Sequence, residues 1–160
     1  MRYSHGSVAE NWQKITSHHY FCLAVTNSLY CVPPCLYYSE GSSIKAIGLN
    51  NKKSYPIVTS GVKSYSLDVL TKDKCLFWGD VAKNAIRKVN LTNGHIQDII
   101  TRDLGVVDGL AVEWVGEYIY WTDYQYQRIE MARFNGSYRR VLFAEEIDHP
   151  RGIALDPAEG

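Results

Sequence analysis

Short runs in which large apolar residues alternate with small or polar ones recur along the chain, and no segment shows the three-and-four spacing of an amphipathic helix. Leu110, Val112 and Trp114 alternate with Ala111 and Glu113, the period of two that gives a strand one buried face. Three aromatic cassettes stand out: Leu36-Tyr37-Tyr38-Ser39-Glu40, Leu76-Phe77-Trp78-Gly79-Asp80 and Ile119-Tyr120-Trp121-Thr122-Asp123. Their first aromatics lie 40 and then 43 residues apart. Upstream landmarks repeat as well, with Asp68, Glu113 and Asp156 closing similar runs at separations of 45 and 43 residues. A third run starts after each cassette, at Ile44, Ile86 and Ile129, and two of these end on Asn93-Gly94 and Asn135-Gly136. Asn-Gly adopts the positive φ angles of a tight hairpin, so fourth strands are predicted at 96–100 and 140–143.

Four short strands per unit, repeated every 40 to 45 residues, predict the blades of a β-propeller, whose sheets cover one another radially. The expected fold class is therefore all-β, a partial propeller of about three blades over residues 35–160, after an N-terminal segment 1–34. Trp78 follows Asp68 by ten positions where Trp121 follows Glu113 by eight, which predicts a longer inner turn in the earlier unit. The pattern asks for a further cassette about four residues beyond the end of the sequence, so the ring is expected to be interrupted and its uncovered faces prone to aggregation.

Composition narrows the function. Lysine plus arginine equals aspartate plus glutamate, 17 against 17, which leaves no global field for nucleic acid or an anionic membrane. Aromatics reach 12% and tyrosine dominates them, a bias shared by pleated strands and protein-binding surfaces. No run is long and apolar enough for a membrane span or a signal peptide, which alone suggests a cytosolic protein. The cysteines argue the other way.

Tyr120-Trp121-Thr122-Asp123 is the motif that names the YWTD repeat, also called the low-density-lipoprotein receptor class B repeat, and its surroundings match too. The stretch from Asp108 to Glu117, the run Asn135-Gly136-Ser137-Tyr138-Arg139-Arg140-Val141-Leu142-Phe143 and His149-Pro150-Arg151-Gly152-Ile153-Ala154-Leu155-Asp156-Pro157 all resemble this family. They are most similar to its Wnt co-receptor branch. Upstream the likeness thins: Phe77 and Gly79 replace the tyrosine and threonine of the motif, and the first cassette keeps only two aromatics and Glu40. The resemblance implies a six-bladed ring on the extracellular side of the plasma membrane, preceded by an epidermal-growth-factor-like module whose second half the region around Cys22, Tyr30 and Cys31 resembles. Membrane attachment would come through parts of a receptor outside this sequence.

Cys22, Cys31, Cys35 and Cys75 lack the paired spacing of a zinc knuckle, so no metal is expected. The module resemblance favours a Cys22–Cys31 disulfide, with free thiols as the alternative, while Cys75 reads as a small core residue. No serine elbow, metal-binding histidine helix or phosphate loop occurs, so no catalytic residue and no cofactor are expected. In the cassettes, Tyr120 and Trp121 should bury opposite faces of a strand, and Thr122 and Asp123 should bond loop backbone, with Phe77, Trp78 and Asp80 as counterparts.

Ligand contact is expected where inner strands begin and second strands end. Carried over by motif, Asp108 and Arg151 fall there, with Val81, Asn84 and Gln125 on the turns after the cassettes. Structural pairing between Asp108 and Arg151 is the competing reading. Val107 replaces the usual proline, and Asn84 and Gln125 stand where relatives often carry acids, so ligand choice is expected to differ. The resemblance implies extracellular protein partners, Wnt-class ligands or their antagonists, with an endocytic receptor, a basement-membrane protein or a propeller hydrolase as alternatives. Asn90-Leu91-Thr92 and Asn135-Gly136-Ser137 fit the glycosylation sequon, Asn90 being favoured because an Asn-Gly turn already accounts for Asn135.

Overall fold

In a computed structural model of the chain, residues 31–156 are described in full and residues 21–24 by their strand pairing alone. Twelve strands form three antiparallel four-stranded sheets. The first holds β1 (Phe21–Ala24), β2 (Cys35–Glu40), β3 (Ser43–Gly48) and β4 (Ser54–Val58). The second holds β5 (Ser64–Leu70), β6 (Cys75–Asp80), β7 (Ala85–Asn90) and β8 (Ile96–Ile100). The third holds β9 (Val107–Glu113), β10 (Tyr118–Asp123), β11 (Arg128–Arg133) and β12 (Arg140–Phe143). Each sheet runs in sequence order from an inner to an outer strand, and every cassette is a second strand. These are three propeller blades, and no helix occurs among the described residues.

The blades stack through two cores, and the period of two decides which residue enters which. Tyr37, Ile44 and Ala46 of the first blade meet Leu67, Val69, Leu76, Trp78 and Val89 of the second. Phe77, Ile86 and Ile100 leave the other face of that blade to meet Leu110, Val112, Ile119, Trp121 and Ala132 of the third. Trp78 and Trp121 therefore both face the preceding blade and are fully buried. Tyr37, Phe77 and Tyr120 face the following one, and only Tyr120 is half-exposed, because no described sheet covers its side. Removing a tryptophan-sized side chain from such a core costs about 3–5 kcal/mol.

Several expectations change in the structure. The boundary at residue 34 falls inside the first blade, since Phe21–Ala24 is antiparallel to Leu36 and its neighbours as the innermost strand of that sheet. Residues 1–20 and 25–30 of the N-terminal segment lie outside the described residues. Cys31 is bonded to Cys35, with Cα atoms 6.3 Å apart, rather than to Cys22. Cys22 sits on β1 opposite Tyr37, and its side chain is outside the description. The separation of Cys31 and Cys35 lies within the reach of a disulfide, and the short link fixes the approach to β2.

The inner turns are also equal rather than unequal. Leu70 pairs with Cys75 and Glu113 with Tyr118, which leaves four-residue turns, Thr71–Lys74 and Trp114–Glu117, in both blades. Asp68 is level with Ala111, not with Glu113, because the pairing of Leu67 with Trp78 and of Leu110 with Trp121 sets the register. The two acids consequently do different things. Asp68 accepts Val69 N–H at 2.7 Å and Val112 N–H of the next blade at 2.7 Å, whereas Glu113 caps its own turn on Val115 and Gly116. At the two Asn-Gly hairpins Gly94 and Gly136 have positive φ and the asparagines before them do not, while Tyr138 also has positive φ, at 54°. Gly136 N–H closes a three-residue loop on Arg133 carbonyl at 2.8 Å, and Gly94 a wider one on Asn90 carbonyl at 2.8 Å.

Candidate ligand-binding face

At one end of the sheets the inner strands begin and the second strands end, so connectors between blades lie against the turns that follow the cassettes. Backbone ties repeat there: Val81 N–H donates to Lys63 carbonyl and Tyr124 N–H to Val106 carbonyl, both at 2.8 Å. Beneath the turns the cassette acids are buried. Asp123 accepts Gly105 N–H at 2.7 Å from the connector entering its blade, and Gln125 and Tyr126 N–H at 3.1 and 2.9 Å from its own turn. Asp80 accepts Lys63 N–H at 3.3 Å in the same way. Glu40 lies exposed and pairs with Lys45, so the first blade lacks this anchor.

The hydroxyl of the motif ties one blade to the next. Ser39 donates to Ser64 carbonyl at 3.1 Å, and Thr122 donates to Arg151 carbonyl. The second blade has Gly79 at that place, and Ser66 on the adjacent strand donates instead, to Val107 carbonyl at 3.2 Å. A side chain at Gly79 would press on the Val107 side chain at 2.6 Å, so the hydroxyl and the glycine have exchanged strands relative to Gly109 and Thr122.

A cation also covers each buried tryptophan. Arg87, opposite Trp78 on β7, lies 5.6 Å from that ring and pairs with Asp98 at 2.6 Å. In the third blade the matching place holds Glu130, and Arg139 from the following turn lies 5.5 Å from Trp121 while gripping the buried Glu130 carboxylate at 2.8 and 3.0 Å. Cation and ring attract through the ring quadrupole, which explains why both blades keep the stack although the arginine comes from a strand in one and from a turn in the other.

Of the residues expected to contact ligand, Asp108 and Arg151 meet directly. Arg151 donates to the buried Asp108 carboxylate at 3.1 Å, its side chain remains 63% exposed, and its guanidinium lies 4.8 Å from the Tyr124 ring. His149 flanks the same ring at 4.6 Å and pairs with Asp148. Gln125, exposed, follows Tyr124 on this turn. Val81, half-buried, and Asn84, exposed, lie on the equivalent turn of the second blade. Asn84 closes that turn at φ 50°, as Gln127 does at φ 51° in the third, so one reason for Asn84 is conformational. Sequence reading missed Tyr124, Tyr65, Lys63 and His149. Lys63 lies 5.8 Å over the Tyr65 ring, a stack that depends on an irregularity in the pairing of β5 with β6 near its start.

No group of three metal-ligating side chains occurs among the described residues, and no helix there is long and apolar enough to cross a membrane. Stacked four-stranded sheets with buried acids pinning the connectors define a propeller protein of the kind whose loops form a recognition face.

The chain belongs to the low-density-lipoprotein receptor class B (YWTD) repeat family, as the family's repeat matches residues 117–157 and relatives extend the likeness upstream. The mouse (Mus musculus) low-density lipoprotein receptor-related protein 5 is 38% identical over 131 residues, 79% of this chain. The human (Homo sapiens) protein of that name is 37% identical over 131 residues. The chain spans 8% of the length of these relatives. Among solved structures, a chain of a nidogen/laminin complex superposes with a TM-score of 0.74 at 31% identity, covering 79% of this chain and 50% of that one.

Proposed function

We propose that the chain is an extracellular protein-ligand-binding module of a cell-surface receptor of the Wnt co-receptor type. It recognises protein ligands reversibly through the end of the blades that carries Asp108, Arg151, Val81, Asn84 and Gln125. The observation that carries this reading is Arg151, an exposed guanidinium made rigid by a buried carboxylate beneath it and a tyrosine ring beside it. An ordered, solvent-facing arginine on loops held by a stiff scaffold is what protein recognition uses, because little side-chain entropy is lost on binding. The likeness to low-density lipoprotein receptor-related protein 5 supports the receptor assignment. No bond is made or broken in this role and no cofactor takes part.

The test is a binding titration of Wnt-class ligands and their antagonists against the chain and its Asp108→Ala and Arg151→Ala variants. Both variants are expected to lose affinity at least about tenfold, as the loss of a hot-spot contact does. Unchanged affinity in both would remove the site assignment. The nidogen likeness supports a second reading, a basement-membrane protein with the same blades. Binding of a laminin in preference to Wnt-class ligands would favour it.

A further inference from the structure

Resting on the binding face proposed above, we infer that its partner presents an acidic loop, with a carboxylate seated on Arg151. The acids at the inner part of this end face inward: Asp80, Asp108 and Asp123 are 1%, 4% and 0% exposed and are occupied by backbone N–H groups or by Arg151. The groups turned to solvent along the inner strand starts and the cassette turns are cationic or neutral. Lys63, Lys83 and Arg151 are exposed, as are Asn84 and Gln125. Three cations at this end rest on tyrosine rings, Lys63 on Tyr65, Arg151 on Tyr124 and Arg128 on Tyr126, at 5.8, 4.8 and 4.8 Å. Lys63 and Arg151 are exposed beside their rings, whereas Arg128 is turned onto the buried Glu130 carboxylate at 2.9 Å.

Exposed acids at this end are otherwise engaged or peripheral. Glu40 pairs with Lys45, Asp148 pairs with His149 and lies 3.4 Å from the Gln127 amide, and Asp103, Glu145 and Glu146 lie on the connectors from the outer strands β8 and β12. Asp108 takes the Nη1 end of the Arg151 fork. A planar guanidinium carries five donors and pairs with a carboxylate along one edge, so the outward part of Arg151 suits an aspartate or glutamate at a loop tip. Charge complementarity of this kind sets which partner docks more than how large the interface is.

The test uses three disulfide-closed peptide rings, identical except for a tip of two aspartates, two asparagines or two lysines, titrated into the 160-residue chain at low and at physiological salt. The diacid ring is expected to bind about tenfold more tightly than the diamide ring, with the preference shrinking as salt rises. Arg151→Gln should abolish the preference and Arg151→Lys keep part of it, while Lys72→Gln on an inner turn at the other end should leave it intact. Near-ultraviolet circular dichroism checks that each variant folds like its parent. A preference for the dilysine ring, equal binding of all three, or an unchanged preference in Arg151→Gln would overturn the acidic-partner inference alone. Binding of none of the rings would take the binding face down with it.

Discussion

Ser66 and Gly79 sit opposite each other on β5 and β6 with their roles exchanged relative to Thr122 and Gly109 on β10 and β9: the hydroxyl that reaches the next blade comes from the inner strand in one case and from the cassette in the other. The exchange explains why the second cassette departs from the motif without loss of the bond between blades.

It also makes a prediction. Ser66→Ala should destabilise the chain by about 1 kcal/mol, the net worth of one hydrogen bond. Gly79→Thr alone should cost more, since its side chain would meet Val107, whereas Ser66→Gly combined with Gly79→Thr should recover part of that loss by restoring the arrangement of the third blade. Chemical denaturation of Ser66→Gly, Gly79→Thr and the double gives the coupling, and strict additivity would contradict the exchange.

The cassette acids should differ sharply by blade. Asp123→Ala strands three backbone N–H groups in a buried place and is expected to cost about 3 kcal/mol or more. Glu40→Ala, at an exposed ion pair, should cost well under about 1 kcal/mol. Thermal melts of both variants measure this, and similar losses would mean that Glu40 is an anchor after all.

Arg139 holds the buried Glu130 and covers Trp121, so Arg139→Met should leave a carboxylate with Arg128 alone and lower stability by about 3 kcal/mol. Adding Glu130→Gln should recover much of the loss by removing the buried charge. Urea titration of the single and double variants tests the pair.

Cys75 is buried, and desolvation pushes its thiol pKa above the ordinary value. A folded-state pKa raised above the unfolded one means that its contribution to stability is full below the unfolded pKa and is lost as pH rises through the folded pKa, so the loss is confined to alkaline solution. The peptide containing Cys75 should therefore resist alkylation at neutral pH until the chain is unfolded, which mass spectrometry of the digested product reads directly.

For the two sequons we predict the reverse of the order expected from sequence. The Asn90 carboxamide accepts Thr92 and Asn93 N–H at 2.7 and 3.2 Å at a half-buried strand end, while Asn135 is exposed on a three-residue loop with the Ser137 hydroxyl donating to it at 2.7 Å. In a chain secreted behind an added signal peptide, Asn135 should carry more glycan than Asn90. Glycopeptide occupancy, measured with and without Ser137→Ala, decides it.

Repetition made the blades legible in the sequence: residues 96–100 and 140–143, placed by period and Asn-Gly turns, are strands in the structure with those limits. Trp78 and Trp121 announced themselves as core because strand alternation and side-chain size are local properties. Asp108 and Arg151 were legible through the motif, although their contact spans 43 positions. What local pattern could not supply was the neighbour across a blade boundary. Only the stacked sheets reveal that Asp68 is level with Ala111, that Ser66 stands in for a threonine, that Arg87 and Arg139 cover equivalent tryptophans, and that Tyr120 is half-exposed where Tyr37 and Phe77 are buried. A strand's alternation is written in consecutive residues, but register, cation stacking and burial of the outward face are set by chain segments some forty positions away, whose distance and orientation exist only once the blades have packed.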